Sequence, residues 1–279
     1  MTLVARSCWF RGADGTLLHF DVADAGAAAR GAIVLLHGLG EYVEKYREWF
    51  DRAVERGWHA TGYDQRGHGD TPGRRGDFDF QDLVADLGRF VEVTRDRYPD
   101  LPVFVVAHSL GALVAIVWSG GVGRLPVKGL VLSGPPLGLV EERPEWYRWG
   151  IRLLAKLAPR VSLPRGTDPG RLTRDPERRA AAEDDPRIHR VMSPRAMVST
   201  DRAMEAAREG TLQLDVPLLV LTADDDRVVD PEAARAWARR VEADDVTIER
   251  VPGAYHELLN DLGREALYDR ILEWCDDRT

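Results

Sequence analysis

Cysteine is nearly absent. Only Cys8 and Cys275 occur among 279 residues. Two thiols near opposite ends form neither a disulfide framework nor a zinc-binding pattern, and a reducing cytoplasm is the expected compartment. Long apolar runs are also missing. No stretch approaches the roughly 18 residues of a membrane span, and Met1–Ser7 carries no signal-like apolar core. Positive charge is in deficit. The formal net charge of −8 argues against nucleic acid as the main partner, because phosphate backbones need a basic surface. What remains, 44% apolar and 30% charged residues, is the composition of an ordinary globular protein. Its length fits one large domain, or one domain carrying an insertion.

The chain alternates between strand and helix signals. Cys8-Trp9-Phe10 and Leu17-Leu18-His19-Phe20 flank the turn Gly12-Ala13-Asp14-Gly15, which predicts a hairpin. Apolar strands follow at Ala32–Leu36, His59–Tyr63, Val103–Ala107, Val127–Leu132, Pro217–Leu221 and Val246–Val251, with helices over about Tyr46–Arg56, Phe80–Arg97, Pro231–Arg240 and Arg264–Cys275. Such alternation predicts an α/β fold, a mostly parallel sheet with helices on both faces. The interval Gly134–Asp215 is too long to be a loop. It predicts a helical cap inserted at residues 135–200, between core segments 1–134 and 201–279.

This insertion differs in charge from its surroundings. Residues 141–200 hold 13 Lys/Arg against 9 Asp/Glu, an excess of four positive charges, which leaves about −12 on the rest. Trp146, Trp149, Leu153, Leu154 and Leu157 recur at helical spacing, and Arg148, Arg152 and Lys156 occupy another face. A basic amphipathic helix can lie on anionic lipid, making transient contact with a membrane surface. The simpler expectation is that the Trp/Leu face packs downward. Trp146, Trp149 and Leu153 would then roof an apolar substrate pocket.

Ser109 is the residue around which chemistry can be built. In Val103-Phe104-Val105-Val106-Ala107-His108-Ser109-Leu110-Gly111 an apolar strand ends at Ala-x-Ser-x-Gly and a helix-forming run follows. A sharp strand–turn–helix of this kind holds a serine with its hydroxyl exposed, and it requires small residues two positions either side. No other serine in the chain has both. A serine hydroxyl needs a base, usually a histidine oriented by a carboxylate. Only His189 and His256 follow Ser109. His256 lies just past the last strand, where catalytic loops gather, so it is the expected base. The acid should follow the penultimate strand, where Asp224, Asp225, Asp226 and Asp230 all stand. Spacing alone does not choose among them, although Asp230 before Pro231 reads as a helix N-cap. The oxyanion of acyl transfer needs backbone donors. Leu110 N–H, just after the nucleophile, and Leu39 N–H, in His37-Gly38-Leu39-Gly40, are the candidates.

Taken together these motifs resemble the α/β-hydrolase superfamily, in particular its monoacylglycerol lipase and lysophospholipase group within the serine aminopeptidase S33 class. The resemblance is carried by His37-Gly38-Leu39-Gly40-Glu41, Asp64-Gln65-Arg66-Gly67-His68-Gly69, His108-Ser109-Leu110-Gly111, Asp185-Pro186, Asp226-Arg227-Val228-Val229 and Gly253-Ala254-Tyr255-His256. Tyr42 and Lys45 depart from that group's usual His and Arg. The resemblance implies an α/β-hydrolase fold, selects Asp226 as the acid and makes the insertion a mobile lid. It implies hydrolysis of a lipid or small-molecule ester, with no metal or organic cofactor. Two other readings compete. A peptidase trimming N-terminal residues would need an anionic subsite for the amine, which an Arg-rich cap does not favour. A non-catalytic receptor or scaffold would not need every triad position filled.

Overall fold

The structure is a computed structural model that describes residues 6–165 and 167–279. Its centre is an eight-stranded sheet. The strands are β1 (Arg6–Arg11), β2 (Leu17–Ala23), β3 (Gly31–Leu36), β4 (Trp58–Tyr63), β5 (Val103–His108), β6 (Gly129–Ser133), and, after the insertion, β9 (Leu218–Ala223) and β10 (Val246–Val251). They lie in the order β1-β2-β4-β3-β5-β6-β9-β10. β1 and β2 form the hairpin read from the sequence, with Cys8 opposite Phe20. β2 also runs antiparallel to β4, and from β4 to β10 every pairing is parallel.

The continuous apolar runs make sense once both faces of the sheet are covered. Side chains alternate across a strand. Ile33 and Leu35 of β3 therefore join Phe104, Val106 and Leu219 in one core, against Trp49 and Phe50 of α1 (Arg47–Glu55) and Ile271 and Trp274 of α9 (Arg264–Asp276). Ala32, Val34 and Leu36 point the other way. They pack with Val105 and Val220 under α2 (Phe80–Arg97) and α3 (Leu110–Gly120). Fully burying one such side chain stabilises the fold by about 1.5–3 kcal/mol. The helix α8 (Pro231–Ala238) covers the β9 end of the sheet, and Asp230 caps it by accepting from Glu232 N–H at 2.9 Å.

Between β6 and β9 the chain leaves the sheet. It forms α4 (Glu145–Leu157), α5 (Pro169–Leu172), α6 (Pro176–Asp184) and α7 (Pro194–Glu209), with a short antiparallel pair, β7 (Leu163–Pro164) and β8 (Val191–Met192). The boundary expected at residue 200 falls inside α7. That helix starts at its Ser193 N-cap and continues to Glu209, packing on α4 at one side and on α2 and α3 at the other. Its buried residues Met197, Thr200 and Ala203 span the expected break, so no change in packing marks it. Among the described residues no helix is long and apolar enough to cross a membrane.

Candidate active site

Strand β5 ends at Ser109, the one non-glycine residue among those described with positive φ (50°, ψ −115°). The turn is tight. A Cβ on Gly111 would lie 2.6 Å from the Leu36 carbonyl oxygen and 2.8 Å from that of His37, so only glycine fits two residues after the serine. Ser109 N–H donates to the Ser133 carbonyl at 2.9 Å, tying the turn to the end of β6.

The structure brings Ser109, His256 and Asp226 together. Ser109 Oγ lies 2.8 Å from His256 Nε2, and His256 Nδ1 donates to Asp226 Oδ2 at 2.8 Å. The other Asp226 oxygen accepts from Val228 N–H (2.8 Å) and Val229 N–H (2.9 Å), which aims the carboxylate. The neighbouring acids have other partners or none. Asp224 pairs with Arg250 at 2.8 Å, Asp225 faces solvent, and Asp230 is the α8 cap. Burial disfavours the His256 cation, but the charge and hydrogen bond of Asp226 outweigh it and hold its pKa above the ordinary value. Burial likewise opposes the Asp226 anion, yet His256 and the two amides keep its pKa low. His108, just before Ser109, is kept neutral by burial, its pKa lowered to about 4.

Leu39 and Leu110 line the same cavity as Ser109 and His256. Among the described residues neither backbone N–H is used in a turn or loop hydrogen bond. Three groups hold the loop that carries Leu39. Gly38 N–H donates to Glu41 Oε2 at 2.8 Å, and Glu41 is itself held by Tyr46 OH at 2.7 Å and by Lys45. Gln65 reaches in from the β4 side. Its N–H donates to His37 Nε2 (3.0 Å) and its side-chain amide to the His37 carbonyl (2.7 Å). The insertion touches the loop directly, since His189 N–H donates to the Gly40 carbonyl at 3.1 Å.

The motif read at Asp64–Gly69 thus has a positioning role. Asp64 accepts from Val43 N–H (2.7 Å) and Asp70 N–H (2.8 Å), and a Cβ on Gly69 would lie 2.2 Å from its carboxylate. His19, Asp64 and Asp70 lie within reach of one another, and His19 Nδ1 pairs directly with Asp64 Oδ2 at 2.9 Å. The triple Glu41–Lys45–Glu257 was not anticipated from the sequence. Lys45 bridges both buried carboxylates, 2.7 Å from Glu257. The one local signal was the i, i+4 spacing of Glu41 and Lys45.

The cavity has a volume of about 140 Å³, and its walls are mainly apolar, including Leu139, Leu172, Ile188, Val191 and Val229. A neighbouring hollow of about 190 Å³, between α4 and α7, holds none of the triad. The roof expected from Trp146, Trp149 and Leu153 is not there. These side chains are 74%, 65% and 42% exposed and line neither space. Tyr147 and Ile151 face the hollow instead, with Ile151 only 8% exposed. On a helix of 3.6 residues per turn the stripe 147/151/154 lies about 120° from the stripe 146/149/153/157. The helix carries two apolar stripes, and the one rich in tryptophan points outward.

Comparison with known proteins gives the family. Residues 27–263 match the family described as serine aminopeptidase, S33. A monoacylglycerol lipase of Mycolicibacterium smegmatis is 30% identical over 95% of both chains. A phospholipase of Bacillus subtilis is 30% identical over 88% of this chain and 94% of its own. Among solved structures, the monoacylglycerol lipase of Paleococcus ferrophilus superposes with a TM-score of 0.85 at 27% identity, covering 94% of this chain and 99% of that one. The chain belongs to the serine aminopeptidase S33 family of α/β-hydrolases, in its monoacylglycerol-lipase-type group, and is a serine ester hydrolase.

Proposed function

We propose that this protein hydrolyses the carboxylic esters of monoacyl lipids through an acyl-enzyme on Ser109. The observation that carries the reading is the unbroken hydrogen-bonded line Asp226–His256–Ser109, whose Ser109 and His256 line a mainly apolar cavity. Ser109 Oγ attacks the ester carbonyl carbon while its proton passes to His256 Nε2. The N–H groups of Leu39 and Leu110 hold the oxyanion. The intermediate collapses, the C–O bond to the alcohol breaks, and His256 returns the proton to the departing oxygen. Water then attacks the acyl-enzyme by the same route and releases the fatty acid. Asp226 orients the imidazole and stabilises its positive charge, and no metal or organic cofactor takes part.

The lipid substrate is supported by the apolar walls and by the names of the relatives, a monoacylglycerol lipase and a phospholipase. A peptidase acting at a free amine is less well supported. The carboxylates at the cavity wall, Glu41 and Glu257, are already held by Lys45. The insertion acts as a lid. The outward stripe of α4 lets that lid rest on an anionic lipid surface, with Trp146 and Trp149 entering the interface and Arg152 and Lys156 beside them. Two unpaired cysteines fit a cytoplasmic setting. A fluorophosphonate probe should label the wild-type protein covalently at Ser109 and should not label Ser109→Ala. Equal labelling of the two would place the nucleophile elsewhere.

A further inference from the structure

The β7–β8 pair carries two arginines to the catalytic cavity. Arg165 follows β7 and Arg190 precedes β8, with Arg165 N–H donating to the Arg190 carbonyl at 2.9 Å. Both residues line the cavity that contains Ser109, and Arg165 also borders the hollow beside it. Most arginines of the insertion are neutralised: Arg171 by Glu141, Arg174 by Asp261, Arg187 by Glu44 and Arg195 by Asp77. Among the described residues, Arg165 and Arg190 have no carboxylate within ion-pair distance. Among the described residues the Arg165 guanidinium hydrogen-bonds only to the Met192 thioether, at 3.2 Å, a weak acceptor. Asp201 on α7 acts on it through space alone. The acids that line the cavity, Glu41 and Glu257, are held by Lys45.

Arg165 is a partly buried cation without an ion-pair partner, which is unfavourable, and an anion arriving there removes the penalty; Arg190, exposed beside it, adds a second positive charge. Guanidinium forks match the paired oxygens of a phosphate. We propose that Arg165 and Arg190 form a binding site for a phosphate oxyanion, filled by the headgroup phosphate of a monoacyl phospholipid whose ester lies at Ser109. This assignment rests on the ester-hydrolase reading and adds a substrate preference to it. It makes the enzyme favour phosphorylated over neutral monoacyl lipids of the same chain.

The test compares kcat/KM for oleoyl lysophosphatidylglycerol and monooleoylglycerol in the same mixed micelles. The proteins are wild type, Arg165→Gln, Arg190→Gln, the double variant and Arg165→Lys. The ratio of phospholipid to neutral lipid should fall about tenfold in each Gln variant, the scale of one charged hydrogen bond, and further in the double variant. Arg165→Lys should keep an intermediate ratio. Arg190 is exposed, so Arg190→Gln tests the site even if Arg165→Gln melts early. Inorganic phosphate, tried as an inhibitor of monooleoylglycerol hydrolysis, distinguishes the source of the anion. An unmoved ratio with phosphate inhibition weakened in the variants assigns the site to free phosphate. If neither the ratio nor the inhibition moves in an active enzyme, the oxyanion site is overturned. Wild type that cleaves neither ester overturns the hydrolase reading together with it.

Discussion

At position 109 the backbone is strained to place one oxygen atom. A non-glycine residue at φ 50°, ψ −115° costs about 1–3 kcal/mol, and the surrounding packing must enforce it. Asp226→Asn leaves that strain in place but removes the carboxylate from His256, so kcat should fall by up to about 10⁴-fold. Asp225→Asn, at a solvent-facing position, should stay within a few-fold of wild type, and kcat measured on one soluble ester checks both. The pH profile offers an independent reading. In the proposed mechanism Ser109 needs a neutral imidazole, and Asp226 holds the His256 pKa above its ordinary value of about 6.5. Wild-type kcat/KM should therefore rise with pH through a midpoint above 6.5, and Asp226→Asn should move that midpoint down. A midpoint common to both proteins would dissociate the pair. Ser109 and His256 were readable in the sequence, because a tight turn needs small neighbours and because few histidines follow it. The acid was not readable from spacing. Four aspartates share one turn, and only the backbone path gives Asp226 the amides of Val228 and Val229.

Helix α4 shows where reading by periodicity stops. Its apolar spacing predicted a helix correctly but not which side would face inward. Tryptophan count suggested one stripe, whereas Tyr147 and Ile151 face the protein. Periodicity reports that a face is apolar. The angle at which a helix enters from its neighbours, here after Pro144 and against α7, decides which face is buried. The two stripes should respond differently to mutation. Ile151→Ala should lower stability by about 2 kcal/mol, as for buried aliphatic truncations. Trp146→Ala and Trp149→Ala should each remain within about 0.5 kcal/mol, as exposed positions do. Urea unfolding midpoints measure this. In co-sedimentation with vesicles containing phosphatidylglycerol the order should reverse, with the tryptophan variants losing binding and Ile151→Ala retaining it. The other elements followed the sequence closely, since buried parallel strands and their covering helices are apolar enough to announce themselves.

At the scale of the whole molecule, the histidines set a limit on the acid side. His37, His59, His68, His108 and His189 all have lowered pKa values, with burial as the leading cause, and only His19 and His256 are raised. A group that resists protonation when folded contributes full stability above its unfolded pKa of about 6.5. That contribution is lost as pH falls toward the folded value, about 4 for His108 and His189. For the deeply buried His108 the loss is on the order of 3 kcal/mol across that range. The urea midpoint should therefore drop between pH 7.5 and pH 5, and a midpoint that holds would mean these rings find proton partners in the fold. Charge is also distributed unevenly, about −12 on the core against +4 across residues 141–200. Near an anionic surface this asymmetry turns the insertion toward the surface and the rest of the molecule away from it, an effect that salt screens.

The bond from His189 N–H to the Gly40 carbonyl joins the insertion to the loop that carries Leu39. A Cβ on Gly40 would lie 2.4 Å from the His189 carbonyl oxygen, so the two backbones are in direct contact. Where two sites are coupled, the influence between them runs equally in both directions. If the insertion is the proposed lid and Leu39 N–H the proposed oxyanion donor, lifting the one would loosen the other, and a molecule bound as an oxyanion would favour the closed insertion by the same free energy.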